Sequence, residues 1–382
     1  MNKTVFKTLS VVALAAAAVG TAQAQGRTMS GSFNGLQWEA TSMLTGATPA
    51  GTATGSANLV GDWIYHPSNS GYNGVVGLLM DYGPGGAFIC SGTLMADRRS
   101  ILTAGHCVSD GAGTANPLTT TVFFMPQAGL APDTRIYNLA PPAVENRTVS
   151  AYTVHPLYTG SVIDQNDIAV LRMSTDAPTW ARSYGIYAAD PEGANFNVAG
   201  YGRLGTGAAG AINFTGRLRQ GDNQYDFRLG NAAFGSNWAA VLGEPLTQIA
   251  YSYVSDFDNG LAANDTACRV ATDPDLAGAA GAVFCDTGLG QREVGVAGGD
   301  SGGPNFINGL VSGINSYGLS FGTSYGDSLT GLNSSFGEFS GYVPTYIHAS
   351  FIAAALVPEP GTYAMMIAGL AAVGLMARRR RV

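Results

Sequence analysis

The chain has 382 residues, 46% hydrophobic and 12% charged, enough to bury a large core as one big domain or two smaller ones. Without its two terminal segments, residues 25–357 carry 13 arginines, no lysine and 25 acids, a net charge of −12. That balance argues against nucleic acid and anionic lipid as partners of the body.

The first 24 residues join a short basic start to an apolar run and a small-x-small ending at Ala22-Gln23-Ala24. This is the layout of a secretory signal peptide read by the Sec export machinery, with cleavage expected after Ala24. Residues 25–62 are rich in Gly, Ala, Ser and Thr and predict a poorly packed leader. From about Tyr72 onward, apolar runs such as GVVGLLMDYG, TTTVFFMP, NDIAVLRM and AVFCDTG alternate with Gly, Asn, Asp and Pro. Short strands with frequent turns predict an all-β sandwich or barrel. Polar, glycine-punctuated strands fill residues 203–267 and have no evident place in it. Helical spacing appears at Tyr346–Leu356, in YIHASFIAAAL.

Beyond it lies Pro358-Glu359-Pro360, then an uncharged stretch from Gly361 to Ala377, then four arginines. Such a stretch sits at the short limit for spanning a bilayer, with the arginines held on the cytoplasmic side. Residues 357–382 resemble a PEP-CTERM sorting tail. The resemblance implies an exosortase that cuts near Pro358–Pro360 and passes the protein toward the cell surface or extracellular matrix. An uncut tail would anchor the body to the inner membrane from the periplasmic side, the chain's one expected membrane contact.

Four cysteines remain: Cys90, Cys107, Cys268 and Cys285. An even count in an exported chain suggests disulfides, and four allow three pairings. Joining sequence neighbours would give Cys90–Cys107 and Cys268–Cys285, each worth roughly 3 kcal/mol. A zinc site would want closer cysteines and nearby histidines. No metal or cofactor is expected, and no convincing calcium loop is visible.

A general base can be sought among only four histidines. His66 and His155 each precede a proline, where extended or turn geometry is favoured. His348 falls in the helical stretch and reads as packed or solvated. His106, in SILTAGHCV, follows a β-like run and adjoins Cys107, so a disulfide there would pin its imidazole. Asp167, at the mouth of the apolar run NDIAVLRM, is either a turn residue or a buried partner for such a base. In VAGGDSGGPNF, Ser301 stands among four glycines. A serine is a weak nucleophile until a base takes its proton. The oxyanion formed by its attack needs backbone N–H donors unobstructed by side chains, which Gly299 and Ser301 could supply.

These pieces resemble a trypsin-like, chymotrypsin-fold serine endopeptidase. SGTLMADRRSILTAGHC, VHPLYTGSVIDQNDIAVLRM, VAGYG, GGDSGGP and LVSGINSYG follow the order of that family over about residues 75–352. The resemblance implies two antiparallel β-barrels with a C-terminal helix over residues 63–356 and a triad in the cleft between the barrels. His106 would be the base, Asp167 its orienting partner and Ser301 the nucleophile, working through an acyl-enzyme on polypeptide substrates. The amides of Gly299 and Ser301 would form the oxyanion hole, and Ser316 would hydrogen-bond Asp167. Tyr317 and Gly318 would border the peptide-binding strand. The two cysteine pairs also fall at family-like places, one bracketing His106 and one before the serine loop. The alternative is a non-catalytic protein of the same fold, serving binding or matrix roles at the surface.

Three departures stand out. Gly295 occupies the position where trypsins hold the aspartate that selects basic residues, and Gly318 and Gly341 match small pocket walls. An apolar pocket that takes aromatic or large aliphatic P1 residues is therefore expected, unless a charge such as Glu338 enters it. Ala297 replaces a cysteine that ties the pocket floor in many relatives. Asp300 has no Ile-Val-Gly-Gly terminus to bind: Ile64 begins IYHP after Trp63. A site formed without that cleavage is expected.

Overall fold

A computed structural model describes residues 28–41, 44–46, 63–67, 70–111, 113, 115–126, 135–138, 143–212 and 215–356. The signal peptide at 1–24, the Pro-Glu-Pro and the candidate span lie outside these residues. No helix among the described residues is long and apolar enough to cross a membrane.

The expectation of a poorly packed leader is corrected at its start. Residues Met29–Phe33 (β1) and Leu36–Thr41 (β2) form a hairpin turning through Asn34 and Gly35, both at positive φ, as a two-residue hairpin turn requires. Alternation along β2 buries Leu36, Trp38 and Ala40, and the Trp38 indole donates to the Val241 carbonyl at 2.9 Å. A third strand, β3 (Leu44–Gly46), follows.

Six strands then close an antiparallel barrel: β4 (Val75–Asp81), β5 (Ala87–Leu94), β6 (Ser100–Thr103), β7 (Thr119–Phe124), β8 (Glu145–Val154) and β9 (Ala169–Met173). Their order around the barrel is β4-β5-β6-β9-β8-β7, so every ladder is satisfied and no edge is left open. The apolar runs of the sequence fill it, with Leu78, Leu102, Val122 and Leu171 fully buried.

The second half supplies β10 (Asn195–Gly200), β11 (Gly205–Thr206), β12 (Gly210–Ala211), β13 (Arg219–Gln224), β14 (Phe227–Arg228), β15 (Tyr253–Ser255), β16 (Val294–Val296), β17 (Pro304–Ile307), β18 (Leu310–Ser320) and β19 (Phe339–Pro344). It is mostly β and curled as a half-barrel, in the order β13-β10-β17-β18-β19-β15-β14, consistent with a chymotrypsin-like fold. A smaller sheet runs β12-β11-β3-β16. The helix Ala349–Leu356 closes the described chain, as expected.

The segment without an evident place resolves into β11–β15 and two short helices, Asn237–Leu242 and Leu246–Ile249. Trp238 is fully buried there, its ring centroid 5.9 Å from that of Phe227. The strand expected in AVFCDTG is not formed: Gly278–Phe284 is a 3-10 helix. Its last turn abuts Cys285, tied to Cys268 on the helix Thr266–Ala271, so it packs on a helix where a strand would need a neighbouring ladder.

Candidate active site

Both disulfides join sequence neighbours, Cys90–Cys107 and Cys268–Cys285. Their sulfurs are thus committed, which removes the zinc reading. The first bond straps β5 to the 3-10 turn Gly105–Cys107 that follows β6 and carries His106.

Asp167 is the buried partner and not merely a turn residue, with 1% of its surface exposed. Its Oδ1 accepts the His106 backbone N–H at 2.7 Å, and its Oδ2 lies 2.7 Å from His106 Nδ1. The Ser316 hydroxyl donates to the same Oδ2 at 2.5 Å. With both oxygens occupied, the imidazole is fixed in angle and its proton is drawn to Nδ1, leaving Nε2 as the acceptor. Asp164 sets up the loop behind it, taking the Thr159 N–H and hydroxyl and the Asn166 N–H.

Ser301 sits on a loop folded against this turn. Its carbonyl accepts the Ser91 amide at 2.8 Å and lies 3.7 Å from Cys107 Sγ. Gly302 adopts φ +77°, and a Cβ there would collide with Thr103 Oγ1, so only glycine lets the loop approach β6. The Ser301 hydroxyl and His106 Nε2 are both buried and make no hydrogen bond among the described residues. The serine–histidine bond is therefore not closed in this structure, a common state of unliganded sites. The amides of Gly299 and Ser301 likewise donate to no described group.

Asp300 is 2% exposed, and its Oδ1 accepts the Gly202 N–H at 2.9 Å. A Cβ at Gly200 or Gly202 would overlap the carboxylate, which explains the glycines of VAGYG. Burial pushes its pKa well above the usual range, opposed by the Gly202 bond and the nearby Arg219 guanidinium. Arg219 also lies over the Tyr65 ring, next to Ile64. Asp300 is thus held from within the chain.

The pocket positions behave differently from one another. Val296, beside Gly295 on β16, donates its N–H to Ser340 Oγ at 2.8 Å and accepts from Ser334 Oγ at 2.9 Å. These bonds anchor the floor where Ala297 leaves no disulfide. Gly295 faces the Phe257 ring. Gly341 is covered by the ring of Tyr317, which is fully buried with its hydroxyl 2.7 Å from Ser252 Oγ. The Tyr317 side chain thus belongs to the core, where the facing glycine leaves a ring-sized space. Glu338 is also buried, its carboxylate accepting the amides of Asn333 (2.8 Å), Ser334 (2.8 Å) and Ser335 (3.2 Å). It closes a turn, and desolvation pushes it up to about 8.

Among the other histidines, His348 is 4% exposed, with Nε2 2.7 Å from the Gln165 carbonyl. Burial pushes it down to about 4. His155 packs edge-on against it at 4.8 Å.

One feature escaped sequence reasoning. β2 pairs antiparallel with β18, with Gly318 opposite Thr41 and Ser320 opposite Glu39. β3 then pairs with β16, with Gly295 opposite Thr45. The leader thus lies along two strands assigned to substrate. The only hint was the alternation in LQWEAT.

Residues 73–224 match the Trypsin family model, and residues 356–381 match the PEP-CTERM protein-sorting motif. His106 and Asp167 lie inside the first match and Ser301 beyond it. Among curated proteins, none matches the chain.

Proposed function

We propose that this chain, which carries a trypsin-family domain and a PEP-CTERM sorting motif, is an exported serine endopeptidase using Ser301, His106 and Asp167. The observation that carries the reading is Asp167 binding both the His106 backbone and its Nδ1, beside a serine loop with two amides free to donate. In this reading His106 Nε2 takes the Ser301 proton as Oγ attacks the scissile carbonyl. The Gly299 and Ser301 amides receive the oxyanion. His106 then protonates the leaving amine, giving an acyl-enzyme, and water activated by the same imidazole releases the acid product. The internal bonds of Asp300 support a site that forms without a cut before Ile64.

The PEP-CTERM motif signals export, surface sorting and an exosortase-type partner. The Sec signal at residues 1–24 and the span within 361–377 complete this route. Until an exosortase cuts the tail, the domain would stand in the periplasm on an inner-membrane anchor.

A fluorophosphonate probe tests the chemistry: labelling of the parent, lost in Ser301→Ala, is the expected result. A non-catalytic role is the second reading, favoured by the open serine–histidine contact and the leader on β18. A folded protein that stays unlabelled before and after leader cleavage would establish that role.

The pocket beside Gly295 meets Phe257, and Glu338 is engaged by three amides, which supports an apolar P1 preference. A peptide panel differing only at P1 should show Phe, Tyr or Leu cleaved at least about tenfold faster than Arg. Dominant cleavage after Arg would sink this preference.

A further inference from the structure

β15 runs directly into Asp256-Phe257-Asp258, and the helix Thr266–Ala271 is capped by Asp265. Folding gathers the three carboxylates, with one oxygen from each within 4.8 Å of the others. They are 4%, 2% and 5% exposed.

Two more buried acids brace them from outside. Asp226 Oδ2 accepts the Asp256 amide at 2.8 Å, and Glu293 Oε1 accepts the Asp258 amide at 2.5 Å. Asp256 Oδ2 takes the Ala267 amide at 2.7 Å, and Asp265 Oδ1 takes the Cys268 amide at 2.8 Å. Asp258 differs. Neither of its oxygens accepts a hydrogen bond from a described residue, and Oδ1 is enclosed.

Nor does a salt bridge to a described residue balance them. Arg269 acts only weakly on Asp265, and its guanidinium bonds the Ala263 and Ser324 carbonyls. An enclosed carboxylate with neither donor nor cation is among the costliest groups a core can hold.

A hard divalent cation would remove that cost. Calcium takes oxygen ligands at about 2.3–2.6 Å, so ligands on opposite sides of one ion stand about 5 Å apart, and three oxygens within 4.8 Å fit around it. Magnesium prefers to keep several waters, which so buried a site disfavours. Zinc prefers nitrogen or thiolate, and the neighbouring sulfurs of Cys268 and Cys285 are joined to each other. We infer that Asp256, Asp258 and Asp265 form a calcium site. Its consequence reaches the cleft, because Phe257, held between two of the ligands, packs against Gly295.

The full chain with Ser301→Ala, which cannot digest itself, is stripped with chelator and dialysed against radioactive calcium at pH 8. One ion per chain is expected, retained in tenfold excess magnesium, with a melting temperature raised by at least about 5 °C. Asp258→Asn should weaken binding at least about 100-fold while the metal-free protein melts no lower. Absence of bound calcium, displacement by magnesium, or unchanged affinity in both Asp258→Asn and Asp265→Asn would overturn the assignment. Should the variants fail to fold, the calcium content of the parent decides alone. None of these readouts requires peptidase activity.

Discussion

Asp167→Asn should lower kcat/KM for a peptide substrate about 10⁴-fold at neutral pH while the protein melts within a few degrees of the parent. Asp167 is bound from two sides, and the sides are not equivalent. Oδ1 must accept a backbone N–H from His106, so an asparagine would place its carbonyl oxygen there. Its amide nitrogen then falls at the Oδ2 position, facing His106 Nδ1. An N–H meeting Nδ1 moves the ring proton to Nε2, and an imidazole protonated there cannot take the proton of Ser301. The Ser316 hydroxyl, which now donates to Oδ2, would have to rotate and accept from the new amide, a bond it can make. Geometry is thereby kept and chemistry lost. Loss of less than about tenfold would show that His106 is not working against this acid.

Cutting the chain between residues 47 and 62, by an engineered site for a specific protease, should raise kcat/KM at least about tenfold. An extended substrate adds a strand to an existing edge, using main-chain donors and acceptors first and pockets second. On β18 those groups, at Gly318–Ser320, are engaged by β2, and the parallel task at Gly295 is met by β3. While covalently attached, this occupant competes at the high effective concentration of a tethered ligand. Severing it lets the hairpin dissociate, resisted mainly by the burial of Leu36, Trp38 and Ala40. Trp38→Ala should therefore relieve inhibition further. N-terminal sequencing of the active species should find a start within the cut segment, between Gly46 and Trp63, and not at Ile64. Equal activity before and after the cut, with the hairpin shown to have left, would exclude the leader as an inhibitor.

The parts of the molecule most legible in the sequence are those where chemistry restricts residue choice. His106 and Ser301 stand in local settings that few other purposes require, whereas Asp167 read equally well as a turn residue, and the cysteines pair as their spacing suggested. The glycines of VAGYG were visible, but their reason, the close approach of Asp300, was not. Composition misled at the leader, where a six-residue alternation sits beside a long run of small residues and its partner strand lies some 280 positions away. The acidic group was invisible for a similar reason. Asp265 and Glu293 join Asp256 and Asp258 only through a disulfide-linked helix and a loop, contacts that no local pattern announces. Gly341 was read as a pocket wall because a missing side chain looks like room for substrate, whereas the fold places the Tyr317 ring over it.

The strap between Cys90 and Cys107 gives the protein a sense of place. Thiols in a bacterial cytoplasm are kept reduced, and a covalent tie of this kind forms only past the inner membrane. A newly made chain still inside the cell therefore lacks the link that fixes the turn carrying His106, and removing such a link typically costs about 2–5 kcal/mol of stability. The redox boundary of the envelope thus acts as a geographic safeguard. On the function proposed above, proteins of the cell interior would meet only this unfastened form.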